Sequence, residues 1–425
     1  MRAALWFLAL FGIAVAIALF AGNNQGTITL FWPPYRVDLS LNLVLLLLAL
    51  LFFILHVALR ALSALFAIPG QAQRWRIQHH ERALHTALLD ALSHLLAGRF
   101  IRARKAAEAV LARESAMTKS GETLAYSARL RALSHLLAAE GAQALQDKTG
   151  RELHFRQALE QTSKREAQET REGVQLRGAR WALEDRDAPA ALQWLDELAQ
   201  GAARRTLALR LRLKAARMAR QSRPALETAR LLAKHRAFSE VAALGIVRGL
   251  ALEYVATAYD PQQMQGIWRQ LDETERATPE VAVAACRRML ELGGDVATSL
   301  SWLLPVWERM MSRAGALTDA QRVELVQAIE SGFTLASGTP DAQWLTRIEH
   351  AQMANPADAV LQYLAGITCM RLQLWGKAQQ LIKQALPRLQ SATLERRAWT
   401  ALAELAEQRG DTTAATQAWK SAARA

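Results

Sequence analysis

Two long apolar runs open the chain, and a helical pattern of apolar and polar residues follows them. Residues 3–21 carry no charge, and neither do residues 39–59. A helix of about 20 apolar residues is long enough to cross the hydrocarbon core of a bilayer. The pattern therefore predicts two spans, joined through residues 22–38 into a transmembrane helical hairpin that occupies residues 1–70.

Beyond about His79 the pattern predicts helices only. Apolar residues recur at spacings of three and four, Ala, Leu, Arg, Glu and Gln dominate, and no stretch alternates with a period of two. Breaks are predicted at Ala97-Gly98-Arg99, Asp187-Ala188-Pro189, Ser222-Arg223-Pro224, Asp260-Pro261, Gly293-Gly294 and Arg409-Gly410-Asp411. The expected fold class is all-α.

The helices form repeated pairs. In the last segment, Ala415, Trp419 and Ala422 follow Trp399 and Gly410 at a spacing that resembles the tetratricopeptide (TPR) pattern. Similar second-helix triplets occur upstream, for example Ala378, Ile382 and Ala385. A single helix pair cannot bury its apolar face, so neighbouring pairs stack around a shared core. We therefore predict a TPR-like α-solenoid over residues 83–425.

Two features refine this array. The charged segment 139–173 is interpreted as a longer loop or an irregular repeat, and it could divide the array into halves. Five tryptophans are interpreted as packing residues between layers: Trp181, Trp194, Trp268, Trp399 and Trp419.

The chain lacks the motifs of common enzymes. It contains no Gly-x-Gly-x-x-Gly after a strand, no Walker sequence, no Gly-x-Ser-x-Gly and no His-Glu-x-x-His. Its two cysteines exclude a disulfide scaffold and any cysteine-built metal centre. We predict a protein without catalytic residues, metal or resident cofactor.

Histidines offer little support for a metal or haem. His79, His80, His85 and His94 are close in sequence, but His80 and His94 would lie about 21 Å apart along a straight helix. His135 and His154 are interpreted as isolated residues. Polar surface histidines are the simpler interpretation, and haem or porphyrin binding stays open as an alternative.

The net charge of +13 is concentrated in one stretch. Residues 204–236 contain eleven Lys and Arg and one acid, Glu227, which gives +10. Arg210, Lys214 and Arg217 share one helix face, and in the repeat frame they line the groove of the array. Such cations suit an acidic protein segment or another carboxylate ligand. The alternative is a solvated basic face near anionic lipid; nucleic acid is disfavoured because aromatic residues are not interleaved.

Cations near the spans predict the orientation. Between the spans Arg36 is offset by Asp38, whereas Arg74, Arg76 and Arg82 follow the second span. The positive-inside rule then places both termini in the cytoplasm. Residues 71–82 are expected to form a basic juxtamembrane segment that contacts anionic membrane lipids.

The order of these features resembles the proteobacterial HemY-type proteins. The resemblance rests on the two spans with the loop Gly26-Thr27-Ile28-Thr29-Leu30 between them, Arg74-Trp75-Arg76, Leu96-Ala97-Gly98-Arg99-Phe100 and Leu231-Leu232-Ala233-Lys234. It implies an inner-membrane TPR protein associated with late haem synthesis, with no catalytic residues to transfer. A flavin-dependent oxidase shares the family name, but this chain lacks its dinucleotide fingerprint.

The leading hypothesis is a non-enzymatic scaffold in the bacterial inner membrane, whose cytoplasmic groove recruits haem-biosynthesis enzymes or other proteins with acidic segments. One alternative is a porphyrin- or haem-binding transfer or sensing protein. Another is a cell-envelope assembly factor with the array outside the cytoplasm. The sequence does not identify the partners or the oligomeric state.

Overall fold

A computed structural model describes residues 11–19, 22, 26–121, 124–163, 167–313, 315–335 and 342–425, with the backbone alone for residues 64–74 and 168. The chain divides into two compact units, residues 1–167 and 168–425. The boundary lies inside the charged segment 139–173.

Unit 1 contains a β-hairpin that the sequence analysis missed. Strand β1 (Thr27–Trp32) pairs antiparallel with β2 (Tyr35–Ser40), with Thr27 opposite Ser40 and Trp32 opposite Tyr35. The prediction of an all-α chain is therefore wrong for the segment that precedes the second apolar run. Apolar or aromatic residues alternate with polar ones from Thr27 to Leu30 and from Tyr35 to Ser40, as in a strand with two different faces.

Helix α1 (Leu41–Leu96) follows β2 directly and contains 56 residues. Ser40 caps it by accepting a hydrogen bond from the Leu43 amide, so the helix begins two residues after the predicted start of the second span. Within the described residues, 41–63 is the one stretch long and apolar enough to cross a membrane, with a mean hydropathy of 2.8 and no buried part. Of the first predicted span, residues 11–19 are helical and exposed, and the rest lies outside the described residues.

The remaining helices of unit 1 pack in sequence order: α2 (Phe100–Lys119), α3 (Ser127–Ala144) and α4 (Lys148–Gln161). The C-terminal part of α1 packs on α2, and Leu84, Val110, Met117 and Leu130 form a small core. Segment 139–173 is thus not a long loop, because α4 lies within it and α3 extends into it.

Unit 2 consists of short helices that follow one another as packed pairs. Its helices are α5 (Gln168–Glu184), α6 (Ala188–Asp196), α7 (Gln200–Ala203), α8 (Thr206–Met218), α9 (Ser222–Lys234), α10 (Glu240–Ala256), α11 (Pro261–Gln270), α12 (Glu273–Arg276), α13 (Pro279–Glu291), α14 (Val296–Ser301), α15 (Leu304–Ser312), α16 (Asp319–Leu335), α17 (Ala342–Ala354), α18 (Ala359–Arg371), α19 (Trp375–Ala385), α20 (Ala392–Gln408) and α21 (Thr412–Arg424). A 3-10 turn, Leu386–Arg388, follows α19.

All predicted breaks fall at helix ends, because the residues that mark them are helix caps and turn residues. Asp187, Asp260 and Asp411 each accept a hydrogen bond from the first turn of the helix that follows. Gly293 and Gly410 adopt positive φ between two helices, a conformation that favours glycine.

One continuous core runs through most of unit 2, from Ala216 on α8 to Ala418 on α21. Trp268 stacks on Trp302 with ring centroids 4.7 Å apart, and Trp307 meets Trp344 edge to face. Of the five predicted packing tryptophans, Trp181 and Trp268 are buried, and Trp194 and Trp399 are partly buried against the core. Trp419 is exposed and donates a hydrogen bond to Glu407.

Small residues let the paired helices approach closely. A Cβ atom added at Gly366 on α18 would lie 2.5 Å from Cγ1 of Ile382 on α19. Ala378, Ile382 and Ala385 are all fully buried, so the predicted triplet does form the inner face of a second helix.

Candidate functional site

Helix α8 presents the three predicted groove cations on its exposed side. Its inward side is formed by Ala208, Leu209, Ala215 and Ala216, which are almost fully buried. Arg210, Lys214 and Arg217 project from the opposite side, which also carries Leu207 at 58% exposure. The structure thus brings the three cations together on one face that mixes charge with apolar surface.

These cations make few contacts within the chain. The Arg210 guanidinium donates to the Ala237 carbonyl at 2.9 Å and lies over the Phe238 ring, 5.9 Å from its centroid. Arg217 lies 3.9 Å from Glu253 on α10, and both side chains are more than half exposed. Among the described residues, Lys214 has no carboxylate partner. An exposed pair such as Arg217–Glu253 leaves its cation available to another anion.

The fold neutralises other cations of the 204–236 stretch with acids from neighbouring helices. Arg205 pairs with Glu172 at 2.8 Å, and Arg212 pairs with Asp196 at 2.6 Å. Arg230 binds Glu275, a carboxylate that is only 5% exposed. Acids from outside the stretch therefore compensate part of its net charge of +10 in the folded protein.

After these pairs are formed, several cations lack a carboxylate partner within the residues that the structure describes. They are Arg204, Arg210, Lys214, Arg220, Lys234 and Arg236. The uncompensated charge of the stretch is thus partly on the exposed face of α8 and partly on the turns beside it.

Helix α10 packs on α9, as α8 does, and exposes apolar side chains in its first half. Val241 is 82% exposed and Leu244 is 65% exposed. Arg210 contacts the residues just before α10, and Arg217 reaches towards Glu253 near its end, so long side chains of α8 link it to α10 although the two backbones are not closely packed. We call the exposed faces of α8 and of residues 241–248 the α8–α10 surface. It combines cations with large apolar side chains, which is unusual for a face in contact with water alone.

The α8–α10 surface adjoins a cleft formed by α10, α13 and α16. The cleft has a volume of about 520 Å³, and Val283 and Ala284 line it. Two ion pairs cross it, Arg248–Glu280 at 3.0 Å and Arg287–Glu324 at 2.5 Å. The cleft could not be predicted from the sequence, because its walls come from three separate repeats.

The structure also joins two histidines that the sequence analysis treated as isolated, and that prediction is wrong. The Nδ1 atoms of His135 on α3 and His154 on α4 are 3.1 Å apart. Burial, the neighbouring His154 and Arg131 lower the pKa of His135 to about 4. Burial likewise lowers the pKa of His154, although Glu108 opposes this effect from 3.6 Å. Both rings are therefore neutral near pH 7.

The predicted membrane-surface cations lie on α1. Arg76 and Arg82 are exposed, and the side chain of Arg74 lies outside the described part of the chain. The segment 71–82 continues the same helix as the apolar stretch, so it is not a separate element. Whether it contacts lipid stays a prediction.

A small cleft lies between α1 and α2, with a volume of about 370 Å³. His79, His80, Arg113 and Met117 line it. Among the described residues, no group of three or more His, Cys, Asp or Glu side chains is placed to hold a metal ion. Haem or porphyrin binding stays an untested alternative.

Residues 26–146 match the family model described as the HemY protein N-terminus. This part of the chain is a HemY-type N-terminal domain. The matched region contains the β-hairpin, the apolar stretch of α1 and His135, whereas the α8–α10 surface lies outside it. Among the curated proteins compared, none matches the chain.

Several solved structures are similar to the chain at low identity. The APC/C hetero-tetramer Cut9-Hcn1 shares 12% identity over 79% of this chain and 65% of that chain, with a TM-score of 0.28. The P58(IPK) TPR domain shares 14% sequence identity over 77% of this chain and 99% of that chain, with a TM-score of 0.21. Naa15/Naa10 bound to HypK-THB shares 12% sequence identity over 76% of this chain and 56% of that chain, with a TM-score of 0.24. The chain thus spans less than two-thirds of the first of these.

Proposed function

We propose that this chain is a membrane-anchored, non-enzymatic scaffold of haem biosynthesis, built from a TPR-like array. Its α8–α10 surface would bind acidic segments of pathway enzymes. The HemY-type N-terminal domain supports the link to haem biosynthesis. The observation that carries the binding role is the exposed face on which Arg210 and Lys214 lack a carboxylate partner among the described residues and Leu207 is 58% exposed.

The chemistry of this surface favours a segment with both carboxylates and apolar residues. Arg210, Lys214 and Arg217 are four and three residues apart on one helix face, so their positive charges repel one another. A bound carboxylate reduces that repulsion. An arginine can hold a carboxylate through two parallel hydrogen bonds, which Lys214 cannot do. Val241 and Leu244 supply apolar area that would be removed from water on binding, at about 25 cal/mol per Å².

Charge reversal tests this role. Arg210→Glu, Lys214→Glu and Arg217→Glu together should abolish photo-crosslinking of haem-biosynthesis enzymes to a probe at Leu244 in intact membranes. The matched control reverses Lys383, Arg396 and Lys420, exposed cations elsewhere in unit 2, with the same change in net charge. Equal crosslinking by the two triple variants would contradict the proposal. Circular dichroism should show the same helical content in both.

The proposed location is the inner membrane, with both spans inserted and both termini in the cytoplasm. The support is the apolar stretch 41–63 and the cations that follow it, among them Arg76 and Arg82. A cytoplasm-active reporter fused to the C-terminus should be active. An inactive cytoplasmic reporter together with an active periplasmic one would favour an envelope assembly factor instead.

A further inference from the structure

The β-hairpin separates apolar from polar side chains onto its two faces. Side chains alternate along a strand, and directly opposed residues point to the same side. From the register, one face carries six apolar or aromatic residues and no charge: Ile28, Leu30, Trp32, Tyr35, Val37 and Leu39. The other face carries Thr27, Thr29, Phe31, Arg36, Asp38 and Ser40.

The apolar face is uncovered by the described residues. Trp32 and Tyr35 are more than 70% exposed, and Leu30 and Val37 are 53% and 45% exposed. On the opposite face, Arg36 pairs with Asp38 and lies over Phe31, the one large apolar residue there. A two-stranded hairpin is marginally stable alone in water. An uncovered apolar face of this size therefore indicates that another surface packs against it.

The hairpin is fixed to the start of the apolar part of α1. The Leu41 amide donates to the Gly26 carbonyl at 2.8 Å, and Ser40 at the end of β2 caps the helix. If the stretch 41–63 crosses a membrane, its first residue lies at one surface of the bilayer. The hairpin is then held at that surface, with no linker between the strand and the span.

We propose that the apolar face of the β-hairpin lies on the lipid surface where α1 enters the membrane. Trp32 and Tyr35 at the tip suit the headgroup level, where one end of an aromatic ring is apolar and the other is wet. Arg36 and Asp38 then face water. This inference rests on the proposed membrane insertion of α1, and it places a second lipid contact on the side of the bilayer opposite the helical array.

Spin labels on the full-length chain test this arrangement in vesicles of phosphatidylethanolamine and phosphatidylglycerol. Single cysteines replace Leu30 or Val37 on the apolar face, and Thr29 or Asp38 on the polar face. Leu48→Cys reports on the span itself. The native cysteines are buried, and the unsubstituted chain gives the labelling background. Accessibility to oxygen, which concentrates in lipid, is compared with accessibility to a water-soluble nickel chelate.

We expect labels at 30 and 37 to resemble the label at 48, with high oxygen and low chelate accessibility, and labels at 29 and 38 to show the reverse. Chelate-accessible labels on both faces, with the label at 48 in lipid, overturn the inference and leave the membrane anchor intact. Labels at 30 and 37 that neither reagent reaches also overturn it, because a protein then covers the face. A chelate-accessible label at 48 refutes the membrane insertion and this inference with it.

Discussion

Unit 1 should lose stability as the pH falls below about 6.5, because the fold holds two histidines in their neutral form. His135 and His154 face each other between α3 and α4, and Arg131 adds a positive charge beside them. Two carboxylates, Glu108 and Asp147, act on His154, and neither is among the groups that shift the pKa of His135. Protonation of either ring would therefore place a cation in a partly buried site that already contains one.

The sign and size of the effect follow from the two pKa values of His135. The pKa of a histidine in an unfolded chain is about 6.5, whereas burial lowers the pKa of His135 in the folded chain to about 4. Between these values the unfolded chain binds more protons, so the stabilisation is complete above the unfolded pKa and is lost as the pH falls towards the folded one. Acidification from pH 7 to pH 5 should cost about 1–2 kcal/mol through His135. His154 acts in the same direction.

Hydrogen exchange of the α2–α4 amides measures this loss in the full-length chain, after correction for the intrinsic pH dependence of exchange. His135→Asn keeps a polar atom near Nδ1 of His154 but removes one titration, so it should reduce the loss of protection between pH 7 and pH 5. The control is His235→Asn, at an exposed site in unit 2. An undiminished loss in His135→Asn, or no loss in the unsubstituted chain, would refute the reasoning.

Thermal or urea unfolding should distinguish matched substitutions in unit 2. Gly366→Ala forces a Cβ against the facing helix and should destabilise the unit by about 1–3 kcal/mol, whereas Gly376→Ala adds its Cβ in open space and should not. Arg230→Met leaves a buried carboxylate unpaired and should cost about 3–5 kcal/mol, whereas Arg223→Met breaks an exposed pair and should cost at most about 1 kcal/mol. Membrane flotation should show that Leu48→Arg weakens insertion, since arginine at mid-span costs about 3 kcal/mol.

Helix boundaries could be predicted from the sequence because caps are local. Asp260 followed by Pro261, and Gly410 followed by Asp411, specify an end and a start within a few residues. The β-hairpin is also encoded locally, in the alternation of polar and apolar residues from Thr27 to Leu30 and from Tyr35 to Ser40. It was missed because a short segment between two apolar runs also fits a loop that joins two membrane spans.

The histidine pair was missed for a different reason, namely that its geometry depends on the pairing of two helices. Leu145–Asp147 forms the turn between α3 and α4, and His135 and His154 lie at similar distances on either side of it. In an antiparallel helix pair, residues at similar distances from the turn meet. No break was predicted at this turn, so the sequence offered no reason to place these two rings together.

Several ion pairs in unit 2 follow the period of the repeat, and they show why the α8 cations stand out. Arg217–Glu253, Arg248–Glu280 and Arg287–Glu324 each join one helix to the equivalent helix of the next repeat, 32 to 37 residues onward. The same displacement from Arg210 and Lys214 reaches residues 242–251, which contain no acid. The neighbouring repeat thus offers these two cations apolar side chains such as Leu244 in place of a carboxylate. A partner segment that carries the missing acid would continue the pattern, which is the physical basis for placing the binding site there.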